Sequence, residues 1–375
     1  MNILIIITLL TSSIPLFVYL IYLTAVLFTR ESQPPENFTN PEITVVIPAY
    51  NESKVIEHRI QNFKDINYPS EKIHIIVVDD RSTDDTIELA KKAFKMYDLS
   101  GEVLIKQKRS GTNASVNLGI EKAMTDIIVT TDADVIFEKD ALKNAIGMLL
   151  SDEKIGAVCG ELEPIIDEKT FTTRSETAYR SVYGKMCTWE SKIYSTYCFN
   201  GPLIVLRKKA FSALPEKHGA SDAGMALNII RNGYRCIYVS SAKFSEYIAK
   251  QLDQQRRQKL RRSSRLIEAT LYNIDMISSK YGRFGTIVFP LRILMFVFVP
   301  ALFFISIILW SYILGEINIL YGLIVWIGVF LALLTGIWSS NIISSFIWHQ
   351  IYLLLSLVYL FRGMHMWKSV DREKV

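Results

Sequence analysis

The sequence predicts an open, mostly parallel, doubly wound α/β sheet flanked by transmembrane helices. Three observations carry this. The chain of 375 residues is oily at both ends and not in the middle. The middle alternates short continuous apolar runs with helical stretches, the pattern of repeated βα units. Mean hydropathy is +0.22, with 50% hydrophobic and 21% charged residues. That excludes disorder, collagen and a small disulfide scaffold.

The first element is the uncharged stretch Asn2 to Phe28, closed by Arg30. About 20 apolar residues span a bilayer, so it is long enough. A cleaved leader would want a basic start, a shorter apolar core and an A-x-A-like site, and none is present. An uncleaved anchor is expected, with the middle of the chain in the cytosol because Arg30 follows the span. Three further spans are expected at Thr286 to Leu314, Ile317 to Trp338 and Ile342 to Phe361. The first contains Pro290, Arg292 and Pro300, so its opening part is expected along the membrane interface before the chain turns in. The tail carries Arg362, Lys368, Arg372 and Lys374. Its charges favour the inside, whereas one plus three spans would leave it outside; the two rules disagree.

Between these ends, Ile43–Ile47, Ile73–Val78, Glu102–Lys106, Ile127–Thr131 and Ile155–Cys159 read as strands. Continuous apolar runs mark strands buried on both faces. The intervening stretches 52–65, 84–97, 113–124 and 138–150 read as helices, with Ser82 and Thr83 as available caps. Ligands bind beyond the carboxyl ends of such strands. There stand Pro48-Ala49-Tyr50-Asn51-Glu52, then Asp79-Asp80, then Asp132-Ala133-Asp134. One D-x-D alone reads as a turn or a cap; three polar clusters at equivalent strand ends read as a site. No G-x-G-x-x-G follows a strand and no G-x-x-x-x-G-K-[ST] occurs, so the glycine-amide phosphate sites are excluded. Carboxylates meet phosphate through a divalent cation, and Asp132 and Asp134 fit Mg²⁺ or Mn²⁺.

Charge and cysteine add little. Net charge is +5, too small to suggest nucleic acid. The run Lys250 to Arg265 holds seven Lys or Arg and one acid, but lacks the interleaved aromatics of a nucleic-acid groove. It suits anionic headgroups or a pyrophosphate clamp. Cys159, Cys187, Cys198 and Cys236 form no C-x-x-C, and free buried thiols are expected ahead of two disulfides.

Val45 to Glu52, Val77-Val78-Asp79-Asp80 with Ser82-Thr83-Asp84, and Thr131 to Asp134 together resemble the family 2 glycosyltransferases in order and spacing. The resemblance covers about Pro41 to Arg265, and the apolar ends are similar to those of the membrane-bound hyaluronan, chitin and cellulose synthases. It implies a GT-A-type fold and an inverting transfer from a nucleotide-sugar donor. The acceptor would be a growing polysaccharide or a membrane lipid. A non-catalytic membrane or transport subunit that kept the fold is the alternative. By this resemblance Ala49, Tyr50, Glu52, Asp79, Asp80 and Asp132 bind the donor, and Asp134 holds the metal. Asn200, Gly201 and Pro202 form the acceptor floor, and Asp222, at the head of an apolar helix, is the general base. Ser221 or Asp222 could equally be that helix's N-cap. Gln258 and Arg261 match the family's Q-x-x-R-W element and join the donor set, but Arg262 replaces its Trp. A second departure is Gly111-Thr112-Asn113, where many relatives have lysine after the glycine. With the acceptor Trp absent, short products or a single sugar on a lipid are expected, unless Trp189, Tyr194, Tyr197 or Phe199 fills the gap. The expected organisation is an anchor (1–29), a cytosolic catalytic domain (41–265), an interfacial linker (266–285), about three transmembrane helices (286–361) and a basic tail (362–375). The expected location is the cell membrane.

Overall fold

The computed structural model describes residues 2–31, 33–35, 38–165, 171–216, 219–247, 252–338 and 342–361. The basic tail (362–375) and Lys250, the start of the basic run, lie outside these. The chain opens with α1 (Asn2–Phe28), then β1 (Ile43–Ala49), α2 (Ile56–Asp65), β2 (Ile73–Asp79), α3 (Thr86–Met96) and β3 (Ser100–Ile105). There follow α4 (Thr112–Lys122), β4 (Ile127–Thr130), β5 (Val135–Phe137), α5 (Ala141–Leu150), β6 (Ile155–Ile165), α6 (Phe171–Ile193), β7 (Ile204–Arg207), α7 (Ser221–Arg231) and β8 (Arg235–Tyr247). After α8 (Leu252–Tyr272) come short turns, α9 (Phe289–Ile293), α10 (Val299–Ile317), α11 (Ile319–Trp338) and α12 (Ile342–Phe361).

Among the described residues eight strands form one sheet in the order β3-β2-β1-β4-β7-β6-β8-β5. β1, β2, β3 and β4 are mutually parallel, as are β6 and β8. β7 runs against both neighbours and β5 against β8. The strand order reverses at β1, which opens a crevice beyond the ends of β1 and β4. Residues alternate faces along each strand. Val45 and Ile47 join a core with Ile56, Ile60, Phe63, Ala90 and Leu142, from α2, α3 and α5. Val46, Ile76 and Val78 join a second core with Val116, Cys187 and Ala226, from α4, α6 and α7. This second core also holds Val18 and Tyr22 of α1, Phe289 of α9 and Leu353 of α12. Sheet and apolar helices thus share one packed interior. All four cysteines are buried free thiols within it.

Among the described residues three helices are long and apolar enough to cross a membrane: Ile3–Phe28, Phe284–Ile317 and Ile343–Leu360. The second does not turn after an interfacial stretch, as the prolines suggested. It runs on as one helix of 34 residues, with π-helical turns at Phe284–Val288 and Leu294–Phe298. Pro290 and Pro300 each stand in the first turn after a π segment, where the missing N–H costs least. Such a helix is about 50 Å long, more than the hydrocarbon thickness of about 30 Å. Residue 265 lies inside α8, which carries the chain on to Tyr272.

Candidate active site

The ends of β1 and β2 lie side by side, with Ala49 opposite Asp79. Their loops are joined by side chains. The Asn51 N–H donates to Ser82 Oγ at 2.9 Å, and the Thr83 N–H donates to Asn51 Oδ1 at 2.8 Å. Asn51 reaches this from a left-handed backbone, φ 56°, which asparagine tolerates better than most residues. Ser82 and Thr83, read above as helix caps, are instead ties across the crevice. The helix behind them starts at Thr86 with Asp85 at its N-cap position and no side-chain cap.

Asp79 is buried and accepts the N–H groups of Arg81 and Ser82, each at 3.1 Å. Asp80 makes an ion pair with Lys106 at 2.7 Å and accepts the Ser110 and Gly111 N–H groups at 2.8 Å. Gly111, at φ 87°, is the N-cap residue of α4, a conformation suited to glycine. Asp80 therefore fixes the loop where the family lysine is missing.

A cavity of about 440 Å³ lies above these strand ends. Ala49, Tyr50, Glu52, Asp80, Asp132, Asp134, Asn200, Gly201, Pro202, Asp222, Gln258 and Arg261 all line it. Of the residues expected to bind donor, acceptor or metal or to act as base, Asp79 alone does not. Asp132 and Asp134 bracket the buried Ala133 in the loop from β4 to β5; Asp132 is exposed and Asp134 half-buried. Among the described residues no group of three or more His, Cys, Asp or Glu forms. Asp132 and Asp134 are hard carboxylates that line an open cavity. That suits Mg²⁺ or Mn²⁺ shared with phosphate oxygens.

Asp222 is the second residue of α7. Ala220 stands at the N-cap position and no side chain caps the helix, so Asp222 is not its N-cap. Its Oδ1 accepts the N–H of Ala223 at 2.7 Å. Burial pushes its carboxyl above the ordinary range, against the pull of the Ala223 N–H and the charges of Arg262 and Arg265. A Cβ on Gly201 would lie 3.4 Å from Asp222 Oδ2, so the Asn200–Pro202 loop runs beside Asp222. α8 fixes the approach to α7: Glu268 Oε2 accepts the Gly219 N–H at 3.1 Å, and Arg265 Nε donates to the Gly219 carbonyl at 3.1 Å.

Asn200 is held from three sides. Its Nδ2 donates to the Gly160 carbonyl at 3.0 Å and the Tyr238 hydroxyl at 3.4 Å, and its Oδ1 accepts from Arg180 at 3.0 Å. Arg262 donates to both carboxylate oxygens of Glu246, at 2.9 and 3.2 Å. The side chain that replaces the family Trp is thus an ion-pair partner of β8. Of the four aromatics offered as substitutes, only Phe199 lines the cavity. Trp189 packs edge-on against Tyr22, and Tyr197 packs against Phe284 and Phe289. The aromatic wall comes from elsewhere: Trp348, His349 and Tyr352 of α12, with Tyr183 and Phe296.

Residues 44–214, which run from β1 to β7, match the family model described as Glycosyl transferase family 2. A protein named "Probable glycosyltransferase YdaM" of Bacillus subtilis (strain 168) is 29% identical over 210 residues, 54% of this chain and 50% of the relative. The poly-beta-1,6-N-acetyl-D-glucosamine synthase of Staphylococcus aureus (strain COL) is 33% identical over 144 residues, 38% of this chain and 34% of the relative. The chain thus spans half or less of these curated relatives. The mannosyltransferase PcManGT from Pyrobaculum calidifontis, solved with GDP-Man and Mn²⁺, superposes with a TM-score of 0.80 at 24% identity, over 96% of this chain and 99% of that one. The fold is accordingly GT-A-type, and the likeness takes in the apolar helices as well as the sheet.

Proposed function

We propose that the protein is a membrane-bound inverting glycosyltransferase that moves one or a few sugars from a nucleotide-sugar donor to a lipid-linked acceptor. The observation that carries this is the single cavity that joins Asp132, Asp134, Asp222 and Arg261 to the wall of α12, a candidate membrane span. An acceptor held in the bilayer would reach the chemistry along that helix. The Arg262–Glu246 pair stands where a long glycan would want a flat ring, and this favours a short product over a processive one.

In this reading the nucleoside lies against Ala49, Tyr50 and Glu52. Asp132 and Asp134 hold a divalent cation, which when bound supplies Lewis-acid neutralisation of the diphosphate. Arg261 and Gln258 meet the same phosphates from α8. Asn200, Gly201 and Pro202 support the acceptor sugar. Asp222 takes the proton from its hydroxyl as that oxygen bonds to the anomeric carbon. The bond from that carbon to the diphosphate oxygen breaks in the same displacement, and the nucleoside diphosphate leaves. The catalytic domain faces the cytosol, where Arg30 retains the end of α1, and the protein resides in the cell membrane.

The test is transfer by the purified full chain in lipid vesicles, with a panel of labelled nucleotide sugars and Mn²⁺. One donor is expected to label vesicle lipid, and EDTA to stop it. Donor binding with no transfer from any donor would favour a non-catalytic subunit.

A further inference from the structure

Arg59 stands in the stripe Ile56, Arg59, Ile60, Phe63 that α2 turns to the core, and it is 1% exposed. Its guanidinium is held by neutral oxygens. Nη1 donates to Asn62 Oδ1 at 2.7 Å and Nη2 to Thr131 Oγ1 at 3.0 Å, while Nε has no hydrogen-bond partner. Two rings enclose it, with Cζ 4.3 Å from the centre of Phe63 and 4.0 Å from that of Phe137. Asn62 in turn holds both backbone groups of Phe137. Its Nδ2 donates to the carbonyl at 3.1 Å, and its Oδ1 accepts the N–H at 2.8 Å.

The consequence is local and specific. Thr131 directly precedes Asp132, and Phe137 lies three residues beyond Asp134. The Arg59–Asn62 pair therefore grips the β4–β5 connection on both sides of the two carboxylates. A slot bounded by Phe63 and Phe137 would take Leu or Met at no electrostatic cost. Burying a cation there without a partner carboxylate in contact is expensive. Burial lowers the guanidinium to about 9, and the charges of Asp132 and Asp134 hold it up. Such an arrangement fits a role toward the acids above it better than a role in filling space.

We propose that Arg59 is a positioning residue for the Asp132–Asp134 loop. It holds both carboxylates where they share one divalent ion, and acts through Thr131 and Asn62 without touching donor or metal. The inference rests on the functional reading above. It is tested by titrating the full chain in detergent with Mn²⁺, followed by electron paramagnetic resonance. UDP, GDP, CDP and ADP are supplied in separate arms. R59K keeps the charge but cannot span Asn62 and Thr131 or lie flat between the rings. T131V removes one bond and keeps the shape. Outer partners of metal ligands are typically worth about 10–100-fold in metal affinity. R59K is therefore expected to raise half-saturating Mn²⁺ by at least about tenfold, and T131V by a smaller factor. The double variant should be no weaker than R59K, since both remove one interaction. Nucleotide binding in EDTA should not change. Wild-type Mn²⁺ affinity in folded R59K overturns the inference; if R59K does not fold, wild-type affinity in T131V does so. Equal losses with Mn²⁺ and in EDTA also overturn it, since they mark a merely structural role. A wild-type protein that binds no Mn²⁺ in any arm defeats the metal reading itself.

Discussion

A base that must take a proton from a sugar hydroxyl gains from a raised proton affinity, and burial gives Asp222 that property. Asp222→Asn keeps the shape and the bond from Ala223. It is expected to leave donor binding intact and to cut turnover by about 10²–10⁴-fold. The same carboxyl should set the acid limb of the rate profile. Turnover falls as pH drops through its raised value, above the ordinary aspartate range near 4, and that limb disappears in the variant. A variant that turns over at the wild-type rate would remove Asp222 from the chemistry. The proposal of this role rests on family resemblance, because an acid at a helix head otherwise reads as a cap. Arg59 left a plainer signal. A cation at i+3 of an apolar stripe is misplaced for a surface helix, although nothing in the sequence says what it faces.

Glu161 shows what β6 contributes beyond a strand. It packs so closely on α6 that a Cβ on Gly184 would lie 2.5 Å from its Oε2. Burial raises its carboxyl from 4.5 to about 7, with Tyr238 and Arg180 pulling the other way. A raised folded value means that its stabilising protonation is complete below about 4.5 and is lost as pH rises through 7. The loss is at most about 3 kcal/mol. Glu161→Gln should flatten the fall of thermal stability between pH 5 and 7 and make the protein more stable than wild type at pH 8. Identical slopes in both proteins would refute this. The buried parallel strands β1, β2 and β4 were readable as continuous apolar runs. β5 was not, because its three residues gain their pairing from β8, more than 100 positions away. The helix stretches were found with ragged starts, since the loops before α2 and α3 spend their polar groups on each other.

At the scale of the molecule, one buried ion pair links the sheet-side helix α6 to the apolar helices. Arg292 of α9 donates to Glu190 of α6 at 2.5 Å, and the same carboxylate accepts from Tyr22 of α1 at 2.8 Å and Thr196 at 2.6 Å. Removing one charge of such a pair typically costs about 3–5 kcal/mol. Arg292→Met should therefore unfold well below wild type in detergent, and adding Glu190→Gln should restore part of the loss. No recovery in the double variant would refute the pairing. The sequence marked Arg292 as unusual for a span but could not name its partner. Nor could it show that α12, an ordinary apolar helix by composition, walls the cavity. That wall carries the central claim, that the acceptor comes from the bilayer and receives few sugars. Its most direct test is the product itself. The purified chain in lipid vesicles, supplied with excess labelled donor, should yield discrete short species that extract with the lipids and stay short with time. A long water-soluble polymer that forms without short intermediates would contradict it.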